Sequence, residues 1–185
     1  AGVAEHGIMV SVDAHNNQIG GTGPNEGNVV AGNGLSGIII RQNADNNVVE
    51  GNIIGLAADG TTVVSNTEHG LLISQSSDGN RIGGSDPGAR NIISGNHGDG
   101  IRIDGTTDAT RTTAVTGTVI HGNYIGTDIT GNTQAGNDLQ DTGIYINESY
   151  GNTIGGSASG EANVLSGNRL RGVIIVGSTA TDNVV

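Results

Sequence analysis

The chain has 185 residues and a formal net charge of −11 at pH 7; 34 residues are glycine, 21 are asparagine, and Phe, Trp, Cys and Lys are absent. Without cysteine there is no disulfide framework, thiol nucleophile or Cys-based zinc site. Seven arginines against that negative excess disfavour a nucleic-acid partner and an anionic membrane surface. No apolar run is long enough for a spanning helix, so membrane insertion is not expected. The only aromatics are Tyr124, Tyr145 and Tyr150, so any core must rest on Ile, Val and Leu.

Read along the chain, short blocks recur. A glycine-led strand signal begins at Gly7, Gly37, Gly70, Gly100, Gly143 and Gly172, with spacings of 30, 33, 30, 43 and 29 residues. After the first of these comes Asn17-Gln18-Ile19-Gly20-Gly21, which returns at Asn80 to Gly84 and at Asn152 to Gly156. Next comes Asn28-Val29-Val30-Ala31-Gly32-Asn33, repeated at Asn91 to Asn96 and Asn163 to Asn168. Intervening copies carry Val48 to Gly55 and Val119 to Gly126 instead, so the unit is a pair of coils. Each block is short, rich in β-branched residues and bounded by Gly, Asn, Asp or Ser, which are strand and turn signals. Internal repetition at this period indicates a solenoid.

The predicted fold is all-β: a right-handed parallel β-helix of about six coils with three short strands each, one solenoid domain over 1–185. Coils would stack at about 4.8 Å, giving a rod of roughly 25–30 Å. Gly-Asn pairs are expected at corners, where both residues tolerate positive φ. Asn33, Asn96 and Asn168 are expected to stack as amide ladders along the axis. Neither end of the sequence carries a polar cap, and solenoids need caps to stay soluble. The chain is therefore expected to be either a slice of a longer surface protein or a subunit that stacks end to end, which is open-ended because the contact is heterologous.

The text Gly-Ile-x-Ile, Asn-x-Ile-x-Gly-Asn and Ile125-Gly126-Thr127-Asp128-Ile129-Thr130-Gly131-Asn132 resembles the right-handed parallel β-helix repeat shared with the pectate-lyase-like superfamily. It is similar to versions found in large secreted or surface-attached bacterial proteins. The resemblance implies the fold and an extracellular or cell-surface location. For the enzymes of that superfamily it implies a groove on an outward strand face, carboxylates holding Ca²⁺ and a basic residue that abstracts a proton from uronate. No catalytic motif of theirs is present onto which residues could be carried.

Alternation along the glycine-led strands orients their side chains. Ile101 and Ile103 flank Arg102, and Ile144 and Ile146 flank Tyr145, so the isoleucines point inward. The outward column is then Met9, Ile39, Leu72, Arg102, Tyr145 and Ile174, and the next reads Ser11, Arg41, Ser74, Asp104, Asn147 and Val176. An apolar outward column calls for a cover. Either the 104–117 or 127–142 stretch of the same chain folds over it, or another molecule does, such as a second copy or a surface protein. The missing Lys, Trp and Phe argue against a site for an acidic polysaccharide, so a non-enzymatic structural or adhesive module is the first expectation. A lyase or epimerase acting on uronate-containing glycans is the alternative, with Arg102 and Asp104 as its candidate catalytic residues.

Other polar groups read first as turn residues. Asp99, Asp104 and Asp108 could supply oxygen ligands to Ca²⁺, but Asp99 precedes a strand and Asp104 can pair with Arg102 or Arg111; no other cofactor is expected. His6 and His69 share a repeat position before the strand-opening glycine, which suggests turns rather than ligands. Asn147-Glu148-Ser149 is a formal sequon on the strand face. Threonines do not recur once per coil as a flat ice-binding array would require.

Overall fold

A computed structural model describes residues 5–106, 113–136 and 138–185. The first coil carries β1 (Ile8–Ser11), β2 (Gln18–Gly20) and β3 (Val29–Val30), and the second β4 (Ile38–Arg41), β5 (Val48–Glu50) and β6 (Ile53–Ile54). The third holds β7 (Leu71–Ser74), β8 (Arg81–Gly83) and β9 (Ile92–Ile93), with a one-turn 3-10 helix at Pro87–Ala89. The fourth holds β10 (Ile101–Asp104), β11 (Val119–His121) and β12 (Tyr124–Ile125). The fifth holds β13 (Thr142–Asn147), β14 (Thr153–Ile154) and β15 (Val164–Leu165), and β16 (Arg171–Val176) opens the next. Like strands of successive coils pair in parallel, so the first sheet runs β1-β4-β7-β10-β13-β16. The second runs β2-β5-β8-β11-β14 and the third β3-β6-β9-β12-β15. This is the right-handed parallel β-helix anticipated from the repeat.

The interior is built by register. Ile8, Ile38, Leu71, Ile101, Ile144 and Val173 align across the first sheet, as do Val10, Ile40, Ile73, Ile103, Ile146 and Ile175. Ile19, Val49, Ile82, Ile120 and Ile154 close the second side and Ile54, Ile93 and Ile125 the third, forming one cluster. Each fully buried Ile or Leu stabilises the fold by roughly 1.5–3 kcal/mol relative to exposure. β-branched side chains suit these positions because their stiff χ1 suits a pleated surface.

Corners are held by amide ladders. Asn33, Asn66, Asn96, Gln140 and Asn168 form one continuous chain, each amide donating to the next carbonyl oxygen at 2.7–3.1 Å. A second joins Asn28, Asn52, Asn91, Asn123 and Asn163 at 2.9–3.1 Å. The expected stacking of Asn33, Asn96 and Asn168 is therefore correct in column, with Asn66 and Gln140 as the intervening rungs. Positive φ is adopted by both residue types, with asparagine taking it at Asn16, Asn25, Asn43 and Asn46. In the Gly-Asn pairs the glycine takes it (Gly32, Gly51, Gly95, Gly122 and Gly167, φ 70–75°), while the asparagine keeps ordinary backbone and turns inward. At Gly51 a Cβ would also collide with the Gly21 carbonyl of the neighbouring coil.

The even coils carry extra hairpins. Leu56 bridges Val63 and Thr127 bridges Gln134, both antiparallel, and the Ile129 N–H donates to the Gly60 carbonyl at 3.0 Å, joining the two hairpins. They lie over the outside of the third sheet, where Leu56, Ile92 and Ala135 form a second buried cluster with Ile53 and Tyr124 packed against it. The 127–136 part of the 127–142 stretch thus covers the third sheet's outer face, not the first sheet's outward column as one expectation had it. The 104–117 alternative lies partly outside the described residues. Asp128 shapes its hairpin by accepting from the Thr130 N–H at 3.0 Å and its hydroxyl at 2.6 Å.

Candidate functional site

The outward columns of the first sheet stack in the expected register: Met9 beside Ile39, Ile39 beside Leu72, Leu72 beside Arg102, Arg102 beside Tyr145, and Tyr145 beside Ile174. The column is not uniform. Met9 is 50% exposed and Ile39 only 3%, and the remainder are half-buried. Ile39 is buried outside the interior cluster, packed on the outer face.

Polar chemistry concentrates where coils three to five meet on this face. Arg102 is the hub. Its Nη1 donates to Asp99 Oδ2 at 3.2 Å and its Nε to Asp104 Oδ2 at 3.1 Å. Its guanidinium carbon lies 4.3 Å from the centroid of the Tyr145 ring in the next coil, a cation–π contact. Asn147, the register partner of Asp104, donates its amide to Asp104 Oδ1 at 2.8 Å. From the preceding coil, His69 reaches the same group: the Asp99 N–H donates to its Nδ1 at 3.0 Å, with Asp99 Oδ2 at 3.6 Å.

These contacts set protonation. Burial alone would weaken the charge on Arg102, but the Asp104 and Asp99 carboxylates outweigh it and raise its pKa above the ordinary value. His69 goes the other way: burial lowers its pKa, helped by Arg102 and opposed by Asp99. A neutral His69 that accepts at Nδ1 carries its proton on Nε2. The cluster therefore combines a fixed cation, a neutral imidazole with a donor, and a phenol.

Of the sequence candidates, Arg102, Asp104 and Asp99 come together, and Tyr145 joins them from the outward column. Asp108 lies outside the described residues. Asp99 and Asp104, two of the three calcium candidates, each bond Arg102 through Oδ2. Among the described residues no group of three or more His, Cys, Asp or Glu side chains gathers to hold a metal ion. His69 was read as a turn residue and is also a member of the cluster. The repeat held the signal: His69 precedes Gly70 and Asp99 precedes Gly100, so stacking the two coils sets them side by side. In the sequon, Asn147 is engaged by Asp104 and Ser149 is buried with its Oγ accepting from the Val115 N–H at 3.1 Å.

A cleft of about 510 Å³ lies elsewhere, outside the third sheet, between Val29, Ile53, Ile129 and the glycine-rich 21–27 turn. A second of about 220 Å³ adjoins it and includes Arg90, whose guanidinium sits 4.0 Å from the centroid of the Tyr124 ring. No ionisable side chain lines the larger cleft, so it offers shape without acid–base chemistry. We place the candidate site at the Arg102 cluster for that reason.

No protein-family model matches the chain, and no curated protein sequence matches it significantly. Among solved structures it is similar to the A-module of the mannuronan C-5 epimerase AlgE4 of Azotobacter vinelandii, with a TM-score of 0.54 and 17% identity. The alignment covers 97% of this chain and 50% of the other, so this chain spans about half the length of that module. At that identity the likeness is one of fold.

Proposed function

We propose that the outward face of the first sheet binds uronate-containing glycan and catalyses proton transfer at C-5 of a uronate unit, as a lyase or epimerase does. The observation that carries this reading is the convergence of Arg102, His69 and Tyr145 from three successive coils onto one patch. The named activity of the AlgE4 module, on the same fold, supports it. A C-5 proton lies α to a carboxylate, so its removal places negative charge on the carboxylate oxygens. A preorganised cation beside those oxygens stabilises that charge most where water is excluded. Arg102 spends Nε and Nη1 on its two aspartates and keeps Nη2 hydrogens for a substrate oxygen. His69 can donate a proton through its Nε2–H, and Tyr145, once deprotonated, can accept one.

The two reactions share the first step. Breaking the C-5–H bond passes the proton to deprotonated Tyr145 and leaves the electron pair delocalised into the carboxylate. In epimerisation a proton returns to C-5 from the opposite face. In elimination the pair forms a C-4–C-5 double bond, the C-4–O bond breaks, and the leaving oxygen takes the proton. Asp99 and Asp104 act as positioning residues, since each touches Arg102. Uronate polymers are extracellular and cell-surface materials, which agrees with the location the repeat implies.

A second reading, a structural or adhesive module, draws on Met9 at the apolar end of the same column, half exposed beside Ile39 and Leu72. Incubation with polymannuronate, polyguluronate and polygalacturonate separates the two. New ultraviolet absorbance from a C-4–C-5 double bond reports elimination, and solvent deuterium entering C-5 by NMR reports epimerisation. Neither signal from any of the three polymers overturns the enzymatic reading.

A further inference from the structure

Arg41 differs from the arginines that are paired with carboxylates. It lies at the end of β4 on the outward face of the first sheet, half-buried. Among the described residues, Arg81, Arg102 and Arg169 each meet a carboxylate within 3.2 Å. Arg41 meets none. Its Nη2 has only the Met9 Sδ at 3.5 Å, a weak acceptor, and its Nε is enclosed with no partner at all. In a chain of net charge −11, a guanidinium without a carboxylate keeps its Nη hydrogens for an incoming acceptor, whereas the enclosed Nε cannot reach one. Ser11 is its register partner on one side. Ser74 follows on the other, since Ile40 pairs with Ile73. Neither hydroxyl has a partner of its own. A cation flanked by two free hydroxyls on one face has the donors that an oxyanion takes.

Its place relative to the Arg102 cluster gives the ligand a direction. β4 and β10 are separated by β7 alone in the first sheet, so Arg41 and Arg102 stand about 10 Å apart along the solenoid axis at about 4.8 Å per strand. Ile39 and Leu72 floor the space between them, and Ser74 joins Arg41 to Asp104 in register. We infer that Arg41, with Ser11 and Ser74, is an anion subsite for a second carboxylate of the same uronate chain, which lies along the solenoid axis from Arg102 toward Met9. This rests on the proposed function and deepens it by setting the polymer's course. Ring faces, which are apolar, would rest on the half-buried Leu72 while carboxylates alternate to the two arginines.

The test compares the whole chain and its Arg41→Ala and Arg41→Lys variants by calorimetric titration with a uronate dimer, a longer uronate oligomer and a neutral glucan of equal length. The dimer spans Arg102 alone and the longer oligomer reaches Arg41. Arg41→Ala should weaken the longer oligomer about tenfold and leave the dimer unchanged, the size expected for one charge-assisted contact. Arg41→Lys should recover part of that loss, and the salt dependence of oligomer binding should flatten in Arg41→Ala. Circular dichroism checks that both variants keep the solenoid. Equal affinity of wild type and Arg41→Ala for the longer oligomer overturns the subsite and leaves the proposed function standing. A matching loss for the neutral glucan also overturns it, since the effect would then be packing. Absence of uronate binding by the wild type overturns subsite and proposed function together.

Discussion

The outer faces of the first and third sheets are built from the same repeat, yet they end differently. Over the third sheet the chain supplies its own cover: hairpins at 56–63 and 127–134 bury Leu56, Ile92 and Ala135. Over the first sheet the corresponding positions hold Arg102, Asp104, Tyr145 and Asn147, tied to one another and to His69 and Asp99. Inward positions of a coil have no freedom, because each must fill the same tube. Outward positions are free, and what they become depends on whether another segment lies over them. A covered face turns into a second core, whereas a face with no such hairpin over it among the described residues can collect charges that need water or a ligand.

The largest expected effect comes from the corner both faces depend on. Asn91→Ala removes one rung of the second ladder. It strands the Asn52 N–H, which donates to Asn91 Oδ1 at 3.0 Å, and the Val49 carbonyl, which accepts from Asn91 Nδ2 at 2.8 Å. These groups are fully buried, and leaving them unpaired should cost about 4 kcal/mol, read as a lower midpoint in denaturant. An unchanged midpoint would mean that hydrophobic stacking alone holds the coil.

Leu56→Ala strikes only the covered face. Leu56 has 0% exposure, and truncating it should cost about 3 kcal/mol while leaving the Arg102 patch intact. If uronate turnover fell with it, the two faces would be coupled and the contrast between them would weaken.

Arg102→Met strikes only the open face. Its ion pairs are partly exposed, with side-chain exposures of 24% for Arg102, 8% for Asp99 and 32% for Asp104. Stability should fall by only about 1 kcal/mol, whereas turnover should fall by roughly a hundredfold or more. A large stability loss with turnover retained would make the cluster a structural clamp.

The smallest effect is in pH. Burial lowers the pKa of both His69 and His121 below the ordinary 6.5. The unfolded chain therefore binds protons first as pH falls below 6.5, and the folded state loses stability through that window; above it the two states agree and stability is flat. His121 meets Glu161 at 3.8 Å, and its Nε2 is enclosed without a partner, so His121→Gln should flatten part of the slope between about pH 7 and pH 5. Denaturation midpoints across that range provide the check, and an unchanged slope would remove His121 as its source.

Much of this was readable in the repeat. The register of Ile101, Ile103, Ile144 and Ile146 follows from strict alternation, which leaves no second way to seat them. The outward column followed from the same alternation, including Arg102 beside Tyr145. His69 was harder to see, because its partners are the Asp99 backbone and carboxylate one coil away, and a local reading finds only a turn before a glycine. The roles within Gly-Asn pairs were also hidden: either residue accepts positive φ locally, and only the need for an inward amide at every rung assigns it to glycine.

By itself the amino-acid sequence determined the solenoid, its coil boundaries, its three stacked sheets and the inward residues, since a repeat of β-branched residues and glycine corners has one compact solution. Which outward face would be covered was decided only in three dimensions. The 127–142 stretch is long enough to reach more than one face, and its destination depends on meeting the 56–63 hairpin at Gly60 and the apolar row at Ile53, Ile92 and Tyr124. Pairing of charges was decided there as well: Arg102 had several aspartates within sequence reach, and stacking selected Asp99 and Asp104 while bringing His69 beside them. Repetition specifies contacts that recur in every coil, and a functional patch is made from contacts that occur once.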